Sequence, residues 1–453
     1  MNAQDKARYL ELDRRTVWHP FTQMKDYETL DHVLIERADG VFLYDADGNR
    51  YYDTISSWWV NVHGHRHPRI MRAIGDLLER MDHVQFSGLT HPAAIDLAAE
   101  LLAVAPPGLT KVFYSDDGST AVEVALKMSF QYWRHVGRPE KTVFVCLENG
   151  YHGDTIGAVS VGGVDLFHAA FRPLLFETIR VPSPNPWKTP DPSPDAIADA
   201  ARATVDAVAD VLERSADRIA GLIFEPMVQA AGGMIIYPAD VVRALRELTA
   251  RHGVHLIADE IAVGFGRTGR MWGVDHAGVS PDLMCVSKGL TAGVLPLAAT
   301  LATEEIYRAF YDDYETMKTF FHGHSFTANP IAAAAALENV RMFREEPVLE
   351  RARATAETLA AALERLRRRP HVASVRHLGM IAAFDLYRDK TTGERFDFRE
   401  RAGFRVYLEG LKEGLILRPL GDTLYYWLPL CTTPEQAEDI VLRTERTLET
   451  LGL

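Results

Sequence analysis

The chain reads as an α/β protein on a largely parallel sheet, followed by a smaller α+β segment. Three observations predict this. Between residues 111 and 288, short apolar runs rich in β-branched residues alternate with stretches whose apolar residues recur at helical spacing. The runs are near-continuous in apolar residues, as strands covered on both faces must be. Near Pro330 the character changes to two long helical patterns followed by extended segments.

In order, "KVFYS" (111–115) predicts a strand and "STAVEVALKMSFQYWRHV" the helix after it. "TVFVCLE" (142–148), "IAGLIFEPMV" (219–228), "VHLIADEI" (254–261) and "DLMCVS" (282–287) predict further buried strands. "VPSPNPWKTPDPSPD" (181–195), crowded with Pro and Ser, predicts an exposed loop within the same domain. After Pro330, "PIAAAAALENVRMF" and "EPVLERARATAETLAAALERLRRR" predict helices. "HVASVRHLGMIAAFDLY", "LILRPL" and "TLYYWLP" predict the extended part of a smaller C-terminal domain.

With 453 residues there is length for two or three domains. A net charge of −13 disfavours nucleic acid and acidic membranes as partners, since both are held by clustered Lys and Arg. Cys146, Cys285 and Cys431 lie far apart with no CxxC, the usage of reduced intracellular thiols. "MNAQDKARYLELDRR" has no apolar core of a signal peptide, and no apolar run is long enough to span a bilayer. A cytoplasmic location is the expectation.

Several stretches carry candidate chemistry. In "DLMCVSKGLTAG" (282–293) Lys288 stands at the end of a buried strand. It is either a snorkelling side chain or an amine held neutral to form a Schiff base. In "YSDDGSTAVEVALKM", Gly118 and Ser119 open a helix whose free N–H groups suit a phosphate, although Ser119 or Thr120 could equally be only an N-cap. "LIADEIAVGFGRTG" ends a strand in Asp259 and Glu260, at the edge where α/β folds keep ligands. Its glycines match G-x-G-x-x-G in form, but no helix opens after them, which excludes a dinucleotide site. "NVHGHRHP" invites a metal reading for His63, His65 and His67, yet no cysteine or carboxylate stands at ligand spacing, so no metal is assigned. "NGYHGD" (149–154) and "HGHSFTANP" (322–330) add aromatic, imidazole and hydroxyl groups in turns.

A strand-end lysine, a strand-end carboxylate and a Gly-Ser helix start together suit one cofactor with an aldehyde, a pyridine nitrogen and a phosphate. That cofactor is pyridoxal 5'-phosphate.

These motifs together resemble the class III (ω-type) aminotransferases, and the resemblance runs from "WHPFTQM" to the last helix. It implies a fold-type I transferase: a large cofactor domain (residues 61–329) with a mostly parallel seven-stranded sheet, and a small domain (330–453). Residues 1–60 would contribute to the small domain and the active-site entrance. By resemblance Lys288 forms the Schiff base and moves the proton, Asp259 pairs with the ring nitrogen, and Gly118 and Ser119 bind phosphate. Tyr151 stacks on the ring and touches substrate, His152 and Asp154 support that loop, and His324 belongs to the cofactor site. Ser325 would act across the interface of a homodimer. Phe21, Trp58, Trp59, Gly323, Arg418 and Tyr425 would face the substrate.

The tandem tryptophans of "SSWWVNVHGH" and the arginine of "LRPLGDTLYYWLP" are similar to those of the biotin-pathway branch. That branch implies 8-amino-7-oxononanoate as the oxo-acid acceptor, with adenosylmethionine or lysine as amino donor. The alternative is a broad ω-transaminase for diamines, β-amino acids or 4-aminobutyrate. Two departures stand out: Phe21 where adenosylmethionine users often carry tyrosine, and Asp117 where the phosphate turn often has serine.

Overall fold

Apolar runs become short strands because helices cover them from both sides. The computed structural model describes residues 1–453. First comes an antiparallel sheet of β1 (Ile35–Asp39), β2 (Phe42–Asp45) and β3 (Arg50–Tyr52). β4 (Leu109–Ser115), β5 (Val143–Leu147), β6 (Thr178–Val181) and β7 (Ile219–Phe224) begin the central sheet. β8 (Val228–Gln229) and β9 (Ile235–Ile236) form a small ribbon. The centre is completed by β10 (His255–Asp259), β11 (Leu283–Val286) and β12 (Ala298–Thr303). An antiparallel sheet of β13 (Val372–Leu378), β14 (Ile381–Leu386) and β15 (Thr423–Trp427) closes the chain.

The central sheet has seven strands in the order β4-β12-β11-β10-β7-β5-β6. Only β12 runs against its neighbours; the other pairings are parallel. Every residue of β5, β7, β10 and β11 is buried. The two-residue period of a strand sorts them: Leu256 and Ala258 join one core cluster, Ile257 the other. Helix Gly118–His135 supplies the second cluster through Ala121, Val122 and Ala125. Helices Pro92–Val104, Pro194–Ser215 and Ala239–His252 supply the first. Each large apolar side chain so covered contributes about 1.5–3 kcal/mol.

The run 219–228 is interrupted at Glu225–Pro226. Pro226 has no N–H to continue a ladder, so β7 stops and β8 starts a separate ribbon. Residues 181–195, expected to be exposed, are partly interior: Ser183 is buried and donates to Gln229 Oε1. Trp187 Nε1 donates to Ile236 O (2.9 Å), and Asp191 accepts from the Ser374 N–H (2.8 Å). Four prolines in 182–190 remove the backbone donors that would otherwise oppose burial. "LILRPL" forms no strand of its own; Leu415 makes one bridge to Tyr52. That bridge, with Trp427 N–H to Thr54 O (2.8 Å), ties the N-terminal segment to the last sheet. No helix is long and apolar enough to cross a membrane.

Candidate active site

Three strand ends and one helix start meet at the carboxyl edge of the central sheet, around a cavity of about 710 Å³. Gly118, Ser119, Tyr151, His152, Asp259 and Lys288 all line it. Open α/β sheets place ligands at this edge because strand ends there give way to divergent loops.

Lys288 follows β11 and has φ +24°, a conformation that costs a non-glycine residue about 1–3 kcal/mol. Its Nζ lies 5.2 Å from the Trp59 ring centroid. Burial holds the ammonium below the ordinary lysine range, and the carboxylates of Asp259, Glu225 and Asp154 act in the opposite direction. Such an amine is readily deprotonated and nucleophilic.

Asp259 ends β10 and is buried. Its Oδ1 accepts the Ile261 N–H (3.0 Å), and its Oδ2 lies 2.7 Å from His152 Nδ1. His152 is equally buried, and its Nε2 has no partner. The imidazole therefore orients the carboxylate as well as supporting its own loop.

The sequence reading missed Glu225, although it directly follows β7 much as Asp259 ends β10. Its oxygens accept the N–H groups of Tyr151 (3.0 Å) and Ala230 (2.9 Å). Burial, with the Asp259 charge adding and His152 opposing, pushes this carboxyl up to about 7. The overlooked signal was a carboxylate closing an apolar run. Tyr151 in turn donates its hydroxyl to Asp154 Oδ2 (2.8 Å), and burial together with that bond raises its phenol above the usual range.

At the helix start, Asp117 is the N-cap: Oδ1 accepts the Thr120 N–H (2.9 Å), while Thr120 Oγ1 accepts the Asp117 N–H (3.0 Å). This reciprocal box gives the departure from serine a structural role. The N–H groups of Gly118 and Ser119, the first two of the helix, remain free for an anion. Ser119 Oγ accepts the Thr155 N–H (3.0 Å), which fixes the 151–155 loop over the helix. The approach is close enough that a Cβ on Gly118 would sit 2.7 Å from Ile261 Cγ2, and one on Gly153 would overlap Ser119.

Residues Ser56–Trp59 form a left-handed turn, with φ of +50°, +46°, +73° and +72°. The opposite hand sends the two indoles apart. Trp59 is buried, stacks on Trp427 (5.1 Å, 27°) and lines the cavity beside Lys288. Trp58 lies under the Arg418 guanidinium (4.3 Å) and edge-on to Phe21 (5.8 Å). Trp59 thus faces the lysine, whereas Trp58, expected to line the substrate tunnel, stands one step outward. Phe21 and Arg418 border a second cavity, of about 410 Å³.

Arg267, also missed, is fully buried and donates to three carbonyls, of Leu428 (3.0 Å), Trp59 (3.2 Å) and Asn61 (2.7 Å), and to Ser56 Oγ (3.2 Å). Burial lowers it to about 9 despite the nearby Asp53.

Tyr425, expected to face substrate, is a correction. It is fully buried on β15, and its hydroxyl accepts the Trp59 Nε1–H (3.2 Å) from behind the turn. Gly323, His324 and Ser325 lie outside the cavity of their own chain. Gly323 and Ser325 are exposed, and the Ser325 carbonyl accepts from His83 Nε2 (2.7 Å). His324 Nδ1 is 2.9 Å from Asp116 Oδ2, but off the line of a hydrogen bond. Of the three histidines of "NVHGHRHP", His63 and His67 lie close, ring centroids 5.9 Å apart, and His65 turns elsewhere. His63 meets Asn339 (2.8 Å), His65 meets Asp53 (2.9 Å), and His67 precedes helix Pro68–Leu78.

A desolvated lysine opposite a buried, imidazole-braced carboxylate, above an anion seat, defines a site for moving amino groups. Residues 23–448 match the family described as Aminotransferase class-III, and the chain belongs to that family. It is 47% identical to adenosylmethionine-8-amino-7-oxononanoate aminotransferase of Geobacter sulfurreducens, over 97% of each chain. The crystal structure of the enzyme of that name from Methanocaldococcus jannaschii superposes with TM-score 0.93 at 35% identity, covering 98% of this chain and 99% of that one. An amine transaminase from an uncultivated Pseudomonas species, in PLP-bound form, matches with TM-score 0.88 at 35% identity, covering 96% and 98%. The architecture is that of a fold-type I transferase.

Proposed function

We propose that this aminotransferase uses pyridoxal 5'-phosphate to aminate 8-amino-7-oxononanoate to the 7,8-diamino acid of biotin synthesis, working as a homodimer. The observation that carries the reading is the left-handed tryptophan turn, which sets Trp58 against Arg418 beyond the Lys288 cavity. A long oxo-acid needs this layout: an apolar wall, then a bidentate donor for its far carboxylate. Relatives of that name, at 36% to 47% identity, support it.

The cavity fits the cofactor on its own chemistry. The free N–H pair of Gly118 and Ser119 suits a phosphate, and Asp259 suits a protonated ring nitrogen. The bound group supplies an aldehyde to carry nitrogen and a ring that withdraws electrons. Lys288 holds and moves the proton at the substrate's amine-bearing carbon. Asp259, oriented by His152 and the Ile261 N–H, keeps a proton at the ring nitrogen. Glu225 fixes the backbone of Tyr151, whose ring closes one side of the cavity. Ser325 of the partner subunit adds a hydroxyl to the phosphate seat. Phe21 offers an aromatic edge with no hydroxyl, an arrangement compatible with lysine as well as adenosylmethionine as donor.

A broad ω-transaminase is the second reading, favoured by the matching amine transaminase structure. One panel separates the two: adenosylmethionine, lysine, glutamate and alanine as donors with 8-amino-7-oxononanoate, in the wild type and in Trp58→Ala. The proposed function expects diamine product from adenosylmethionine or lysine. It also expects Trp58→Ala to lose roughly 10–100-fold in kcat/KM for the long acceptor only. Equal loss with small amines, or no diamine from any donor, overturns it.

A further inference from the structure

We propose that Asp53 is a positioning residue for acceptor specificity, acting through the left-handed turn. This rests on the proposed acceptor, because the turn matters to it by placing Trp58 beneath Arg418. Asp53 follows β3 and is 1% exposed. All of its carboxylate contacts serve the turn or its surroundings. Oδ1 accepts the Ser57 N–H (2.7 Å), and Oδ2 accepts the Ser57 hydroxyl (2.6 Å) and lies 2.9 Å from His65 Nε2. The main chain of Asp53 is held as well, its N–H donating to Val41 O (2.9 Å).

Four successive left-handed residues without a glycine are disfavoured by contact of each Cβ with the next carbonyl. Their own bonds, from the Trp59 N–H to Ile55 O (2.8 Å) and the Val60 N–H to Ser56 O (2.9 Å), close the turn. The Ser56 N–H donates to the Asp53 carbonyl (3.3 Å), and the amide of Ser57 is left without a backbone partner. Asp53 fills this gap as an N-cap does in a right-handed helix, with two acceptor atoms on one residue. Arg267 secures the exit by binding the carbonyls of Trp59 and Asn61. The turn is thus clamped at both ends, and Asp53 is the clamp at the entrance. Without it residues 56–59 relax toward right-handed conformations, which swing Trp58 away from Arg418 while Lys288, Asp259 and the helix start keep their places.

The test uses the holoenzyme of the wild type, Asp53→Ala, Asp53→Asn and the double variant Asp53→Ala/Ser57→Gly. Three measurements are made: KM for 8-amino-7-oxononanoate, the half-reaction with a small amine lacking a far carboxylate, and near-UV circular dichroism of the Trp59–Trp427 stack. Asp53→Ala is expected to raise acceptor KM roughly 10–100-fold, to weaken the tryptophan dichroism, and to lower the small-amine rate only a few-fold, the part that follows from Trp59 shifting beside Lys288. Asp53→Asn, which keeps one acceptor for the Ser57 N–H, shows the same pattern at smaller size and serves if the alanine variant does not fold. Ser57→Gly in the double variant restores part of the loss, since glycine adopts positive φ without strain. An unchanged KM in Asp53→Ala, equal loss with the small amine, or no recovery in the double variant overturns the proposal. A wild type unable to aminate the long acceptor refutes the proposed function instead; unchanged dichroism in Asp53→Ala would refute the clamp in either case.

Discussion

Two lysines stand at opposite edges of the central sheet, Lys141 buried and Lys288 half-buried. Lys141 precedes β5 and Lys288 follows β11. Burial depresses both ammonium groups, Lys141 to about 8. Their partners differ. Lys141 Nζ donates to three carbonyls, of Ala216 (2.5 Å), Ile219 (3.0 Å) and Gly253 (3.0 Å), and lies 4.5 Å from the Trp133 ring. Beside it His255 stacks on Trp133 (4.7 Å, 26°) and bonds Ser129 Oγ (2.9 Å) through Nδ1. At the other edge no hydrogen bond holds Lys288 Nζ, and His152 Nε2 has no partner. A perturbed pKa alone would not tell these edges apart. The unmet hydrogen-bonding capacity does, because Lys288 and His152 both line one cavity, where a ligand can complete them.

The largest expected effect sharpens that contrast. Lys288→Ala is expected to lose roughly four powers of ten or more in single-turnover amination while folding normally. Retained turnover would break the comparison at its functional edge. Lys141→Met is expected to do the reverse: turnover within about twofold, but stability in urea lower by about 1–3 kcal/mol because three carbonyls lose their donor. Lost turnover with unchanged stability would break it at the structural edge.

The smallest effect is in pH dependence. Burial holds His255 and His63 neutral down to about 3, whereas unfolded histidines titrate near 6.5. Between those values the unfolded chain takes up protons that the fold refuses. Their contribution is therefore complete above about pH 6.5 and is lost as pH falls toward 3. His255→Phe is expected to flatten this acid limb by up to about one proton, read from the slope of unfolding free energy against pH.

Legibility in the sequence followed distance along the chain. Lys288, Asp259, Gly118 and Ser119 each sit where an apolar run meets a turn, a local pattern that marks them as candidates while leaving a snorkelling lysine or a plain N-cap open. β5, β7, β10 and β11 were legible for the same reason, since complete burial leaves an unbroken apolar run, whereas β6, with only Val181 buried, left no such run. Arg267 was hidden inside a glycine-rich stretch because its partners are more than two hundred positions earlier, or at Leu428. The hand of Ser56–Trp59 was equally hidden: neither serine nor tryptophan favours positive φ, and the conformation is imposed by Asp53, Arg267 and β15. Tyr425 was placed by resemblance, which assigns a position but not what lies against its side chain, here the Trp59 indole.

The reversed direction of β12 bears on how the molecule assembles. Val286 faces Ala299 across a short connection, while Ala258 of β10 must find Phe224 of β7 across a whole crossover. Closing the shorter loop costs about 1 kcal/mol less in chain entropy. Lys288 rides on this local hairpin, the sheet's least demanding pairing. A chain collapsing from the unfolded state thereby meets the smallest topological barrier where its reactive amine is carried.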